Sequence, residues 1–141
     1  MKKIIVIFGI IIALYASSLL IRAKLTINEV ENYVSETLTE IAQPWNSSKL
    51  TSRASIWLKK HSNLKPDEIA RKGMYEFGSL TYIEGHPDCN IYKGIAQHEH
   101  VERIYSDCSL VARFEKKTAK ISVRLVKEDE DWKINNFISI K

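Results

Sequence analysis

Nothing in the sequence resembles a glycine-rich phosphate loop, a nucleophile elbow or a cofactor motif, so no cofactor is expected. Cysteine is scarce: the chain has 2, Cys89 and Cys108. Their spacing is not C-x-x-C, which leaves a thioredoxin-like dithiol without its motif. The "HEH" at His98 to His100 does not match H-E-x-x-H, whose helical spacing is what turns two imidazoles toward one zinc ion. Net charge is missing from most of the chain as well. Of its 21 basic residues, Lys2, Lys3, Arg22 and Lys24 fall in the first 24 positions, which hold no acid; the rest of the chain carries 17 basic and 17 acidic side chains. A nucleic-acid binder keeps a positive footprint on its folded domain. This chain does not, and no nucleic-acid partner is expected.

What the sequence does have is a long apolar run near its start. "IIVIFGIIIALYASSLLI", Ile4 to Ile21, is 18 residues without a charge. As a helix rising about 1.5 Å per residue it covers about 27 Å, close to the thickness of a bilayer core. A cleaved secretory signal also has a basic start and an apolar centre, but its core usually runs about 7–15 residues before a small-x-small site. The best candidate site here is "ASS", Ala16 to Ser18. Residues 1–24 therefore read as a membrane anchor or a signal, and 25–141 as one exported domain. The flanking charges favour a cytoplasmic start only slightly. In an exported domain an even pair of cysteines reads as a disulfide, and closing a loop of about 20 residues should stabilise by about 3 kcal/mol. The expected bond is Cys89–Cys108.

Periodicity divides the domain in two. "TINEVENYVSETLTEIAQPW" repeats apolar residues at Ile27, Val30, Val34, Leu38, Ile41 and Trp45, one face of a helix. Thr26-x-x-Glu29 fits a capping box, so the helix either starts there or continues from the apolar run. A second helix is expected over "NSSKLTSRASIWLKKHS" and a third over "LKPDEIARKGMYEFG", with Pro66 in its first turn and Gly78 closing it. After Gly78 the period becomes two. "SLTYIE" and "NIYKGIAQ" read as short strands with "EGHPDC" as a turn between them. "RIYSDCSLVARFE" and "TAKISVRLVKE" alternate cleanly. "DWKINNFISIK" places Trp132 and Ile134 inward, with Phe137 out of phase as a bulge would require. Helices first and strands second give α+β: N-terminal helices packed on a curved antiparallel sheet.

The helices, the short strand after "FG" and the closing "ARFEKKTAKISVRLVKEDEDWKINNFISIK" resemble the cone-shaped nuclear-transport-factor-like superfamily, which includes the SnoaL-like and ketosteroid-isomerase-like proteins. The A-x-F-E…A-x-I-x-V-x-L…W-x-I-x-x-F pattern is similar to its small exported bacterial members. The resemblance covers residues 26–141 and implies isomerases, dehydratases, cyclases, transport adaptors or secretion-system scaffolds, among which fold alone does not choose. It places the domain on the bacterial cytoplasmic membrane, single-pass with the domain in the periplasm or outside, or free in the periplasm or medium after cleavage. The architecture is similar to the periplasmic scaffold subunit of type IV secretion machines.

Three constellations bear on chemistry. In an extended segment His98, His100 and Glu102 would share a face and offer a zinc ligand set, although a flat row diverges where ligands must converge. His86, Asp88 and Asp107 could do acid/base work in a pocket, while "EGHPDC" is also ordinary turn chemistry. Trp45, Trp57 and Trp132 read as core, with Trp45 and Tyr82 as candidate ligand or partner contacts. The expected function is a non-catalytic binding or assembly module for other envelope proteins, using the open sheet face, with homodimerisation through it possible. The alternatives are a small isomerase-type enzyme or a carrier of hydrophobic ligands. A cone holding two titratable groups would favour the enzyme, a sizeable apolar cavity the carrier, and a filled cone the assembly module.

Overall fold

The computed structural model describes the chain apart from residues 1, 62, 64 and 97–99, and apart from the side chains of 2–8, 25, 139 and 140. Four helices, α1 (Lys2–Ala42), α2 (Ser47–Arg53), α3 (Ile56–His61) and α4 (Pro66–Phe77), precede four strands, β1 (Leu80–Ile95), β2 (Glu102–Phe114), β3 (Thr118–Glu128) and β4 (Asp131–Ile140). The strands form one antiparallel sheet in the order β1-β2-β3-β4. The α+β class and the order of its halves are as the periodicities imply.

α1 does not restart at Thr26. The Thr26 hydroxyl donates to the Arg22 carbonyl at 2.9 Å, the back-bond of a residue inside a helix and not the bond of a cap. Gly9–Ala42 is long and apolar enough to cross a membrane by length and composition, and its most apolar window has no protein packed on it. A membrane span and a signal segment share that form. Further along, Val30, Val34, Leu38 and Ile41 turn one stripe inward and are buried, while Ile27 is half-buried. They meet Leu110, Ala112, Ile121, Val123, Leu125 and Ile134, the inward residues of the sheet, in a single apolar cluster. β1 is the strand nearest α1.

The expected second helix is broken in two. Ala54 forms a parallel bridge with Ile134, and the Ser55 N–H donates to the Ile134 carbonyl at 2.8 Å. The Ser55 hydroxyl then accepts from the Leu58 N–H at 3.0 Å and caps α3. A tie to a strand 80 residues away has no trace in local periodicity, so the apolar spacing ran on through the break. Trp57, expected in the core, is 37% exposed on α3 as a result. Asn46 caps α2 by accepting from the Lys49 N–H, and Lys65 leaves α4 without a side-chain cap.

The two expected strands merge into one, β1 (Leu80–Ile95), and "EGHPDC" lies inside it and is not a turn. Glu84 pairs with Val111 and Asp88 with Ser109, so four steps along β1 answer two along β2. The insert is a wide bulge in which Gly85 takes φ 71°, a conformation that glycine adopts freely. Turns and bulges draw on the same residue types, which is why the sequence suggested the former. The bulge expected in β4 is present. Arg124 faces Asn136 and Leu125 faces Ile134, so Asn135 is the extra residue, and Phe137 returns to register opposite Val123.

Trp45 closes the end of the core where β1 begins. Its indole Nε1 donates to the Gly78 carbonyl at 2.8 Å, and the ring stacks on Phe114 with centroids 6.0 Å apart. Gly73 of α4 lies directly against it: a Cβ there would sit 2.6–2.7 Å from three indole atoms. Forcing a methyl group into a packed core costs about 1–3 kcal/mol, against a helix-propensity gain of about 1 kcal/mol. Gly73→Ala is therefore expected to lower unfolding stability by about 1 kcal/mol in urea titration, where an ordinary exposed helical glycine would gain from the same change.

Candidate functional site on the open face of the sheet

Side chains alternate across a strand, so the burial of Ser106, Cys108, Leu110, Ala112 and Phe114 toward the helices puts Tyr105 and Asp107 on the opposite face. The register carries this across the sheet. Tyr92 faces Tyr105, Asn90 faces Asp107, Asp107 faces Arg124, and Arg124 faces Asn136. The open face is thus polar and aromatic where the inner face is aliphatic.

At its centre Arg124 holds Asp107 through two hydrogen bonds, Nε to Oδ1 at 2.7 Å and Nη2 to Oδ2 at 2.8 Å. The guanidinium lies 6.0 Å from the Tyr92 ring centre, and Tyr92 stacks on Tyr105 at 5.8 Å. The paired Asp107 carboxylate raises the Arg124 pKa further above its ordinary value, despite partial burial. Partial burial, and then the Asp107 charge, push the Tyr92 hydroxyl upward. At neutral pH the cluster therefore holds a fixed cation and a neutral phenol.

Beside this cluster runs a groove of about 360 Å³, bordered by Tyr92, Tyr105, Arg103, Arg124, Asn136 and, from α3, Trp57. Gly94 leaves room for the Tyr105 ring, which a Cβ would approach to 3.1 Å. Glu128 closes the wall by accepting from the Ile56 N–H at 3.2 Å, which fixes α3 over the groove. On the other side of the sheet the space between α1 and the strands is filled: a gap of about 20 Å³ remains there, lined by Val34, Leu38, Ile121, Val123 and their neighbours, with room for little more than one water molecule.

The residues singled out from the sequence do not gather at one place. Cys89 and Cys108 are directly opposite in β1 and β2 and form a disulfide. The bond fits an oxidising compartment. Asp107 is on the open face, held by Arg124, and Asp88 lies on the same face opposite Ser109, one diagonal step away. His86 lies exposed in the β1 bulge. Tyr82 is exposed opposite Arg113, while Trp45 is half-buried among Phe77 and Phe114 on the core side, so the two do not meet. His98 lies outside the described residues. His100 takes φ 51°, which breaks the extended row in which it would align with Glu102, and Glu102 sits 3.6 Å from Lys93. Among the described residues no group of three or more His, Cys, Asp or Glu side chains could hold a metal ion.

Arg124 and Trp57 escaped the sequence reading. The signal for Arg124 was available: a tight turn after Phe114 aligns Arg113 with Thr118 and hence Asp107 with Arg124. Trp57 gave none, because its exposure follows from the break at Ser55. Compared with descriptions of protein families, with characterised proteins and with solved structures, the chain matches none.

Proposed function

We propose that the chain is a non-catalytic binding and assembly module of the bacterial cell envelope, held at the cytoplasmic membrane by α1. In this reading residues 25–141 form a cone-shaped nuclear-transport-factor-like domain outside the membrane. The observation that carries it is the contrast between the two faces of the sheet. The inner face has gaps of about 20 Å³ under α1 and about 40 Å³ beside Phe137, far smaller than a ligand chamber, which speaks against an isomerase-like enzyme or a hydrophobic-ligand carrier. The outer face offers stacked tyrosines, an arginine and a tryptophan, the residue types that concentrate binding energy at protein interfaces. Its occupant is another envelope protein or a second copy of the chain.

A photoreactive residue at position 105, introduced into the full chain in its native membrane, tests this reading. Discrete protein adducts are expected from position 105 and none from position 120, which lies far along the same face. Arg124→Gln is expected to weaken partner binding by about 2 kcal/mol, or about thirtyfold, as removal of a central anchor does. Absence of protein adducts, together with a small molecule retained in native mass spectrometry, would replace the assembly reading with the enzyme or carrier.

A further inference from the structure

The groove beside Tyr92 and Tyr105 has its acceptors engaged and its donors open. Both Asp107 oxygens accept from Arg124, at 2.7 and 2.8 Å. Both Glu128 oxygens lie 3.2 Å from the Ile56 nitrogen, whose N–H they accept, and the Asn135 Oδ1 accepts from the Ser55 hydroxyl at 3.1 Å. Arg124, by contrast, uses only two of its five guanidinium N–H groups on Asp107; among the described residues the other three have no hydrogen-bond partner. The side-chain amides of Asn135 and Asn136, both on the groove wall, donate to none of those residues either.

This excess of donors comes without net charge. Arg103 and Arg124 are the cations of the groove, and Asp107 and Glu128 match them one for one. Around these groups stand ring faces. Tyr92 and Tyr105 are stacked at 5.8 Å on the sheet, and Trp57 borders the groove from α3, its ring backed by His61 at 5.4 Å.

Ligand classes differ in how they meet such a surface. An anion finds the Arg124 charge already matched and two carboxylates close by. A sugar or an ordinary extended peptide brings donors as well as acceptors, and its own O–H or N–H groups would lose water without gaining acceptors. A proline-rich segment fits on every count. Proline has no N–H, and the carbonyls of a polyproline II helix make no internal hydrogen bonds, so they are neutral acceptors facing outward. Its rings pack on aromatic side chains, and its conformation is largely set before binding, so little entropy is lost on docking.

We propose that the groove takes a proline-rich segment of an envelope partner, held as a polyproline II helix against Trp57 and the Tyr92–Tyr105 pair, with its carbonyls accepting from Arg124, Asn135 and Asn136. The inference deepens the assembly reading and rests on it.

The test titrates the full oxidised chain in detergent against fluorescently labelled deca-proline and a glycine–serine peptide of equal length, read by anisotropy. Deca-proline is expected to bind about tenfold more tightly or better. Trp57→Ala and, separately, Asn136→Leu should each weaken it about tenfold, with melting curves showing that the variants stay folded. Deca-proline binding that both variants leave unchanged lies elsewhere on the chain and overturns the inference. Equal or absent binding of the two peptides overturns it too; if position 105 still gives protein adducts, the assembly reading stands. Loss of those adducts as well overturns both, and binding of an N-acetylglucosamine disaccharide would then make the groove a sugar site.

Discussion

Breaking the Cys89–Cys108 bond is expected to lower the melting temperature by about 10 °C. The bond closes a loop of 19 residues. Restricting an unfolded chain to such a loop is worth about 3 kcal/mol, and for a domain of this size each kcal/mol moves the midpoint by about 3–5 °C. Its position sharpens the expectation. The pair follows the wide bulge at once, where the β1–β2 ladder resumes at Asp88 and Ser109, so the bond fixes which residues of β1 face which of β2 after two have been skipped. Thermal melts of the oxidised chain with and without reductant, and of a Cys89→Ala, Cys108→Ala variant, make the check. Reductant should lower the midpoint of the first and leave the second unmoved, and the two low values should agree. A midpoint indifferent to reductant would contradict a stabilising role for the bond. Hydrogen exchange locates the damage: amides of Tyr92 and Lys93, beyond the bulge, should open sooner than those of β3.

Leu125→Ala is expected to cost about 3–4 kcal/mol, within the range of leucine truncations at sites that cannot collapse. Leu125 has no exposed surface, pairs with Ser106 and Ile134, and shares its apolar cluster with Val30 and Trp132. Strands on both sides hold its backbone and α1 lies across the face, so the surroundings have little freedom to close on the void. Urea titration against Ile104→Ala gives the comparison, since Ile104 is expected to lose well under 1 kcal/mol on an exposed strand end. Equal losses at the two positions would mean that α1 does not pack across the sheet as described.

The legible part of the fold came from short-range pattern. The stripe from Ile27 to Ile41, the alternation of Ala119, Ile121, Val123 and Leu125, and the phase slip before Phe137 all express burial on one face, which hydrophobicity reports directly. The helix order, the sheet and the disulfide came with them. What escaped depended on contacts distant in sequence. Ser55 breaks a helix because of Ile134, and Trp57 becomes a groove wall because of that break. The site was harder to see than the fold because its strongest pair, Asp107 with Arg124, is two ordinary polar-face residues until register puts them opposite each other. Histidines and carboxylates drew attention by type, whereas the groove is built from tyrosines and arginine chosen by place.

The unbroken course of α1 has a mechanical consequence. Residues 10–43 contain neither glycine nor proline, and the helix that packs on the sheet from Val30 onward is the same one that carries the apolar run. If that run is held in lipid, as proposed, the domain would be mounted on an axle and not hung on a tether. Its distance from the membrane would then be set by the helix, and its bearing would change only when the embedded helix turned with it. Encounters with a neighbour would then become a search in two dimensions plus one angle. A torque applied by a bound neighbour would pass straight down the shaft into the bilayer.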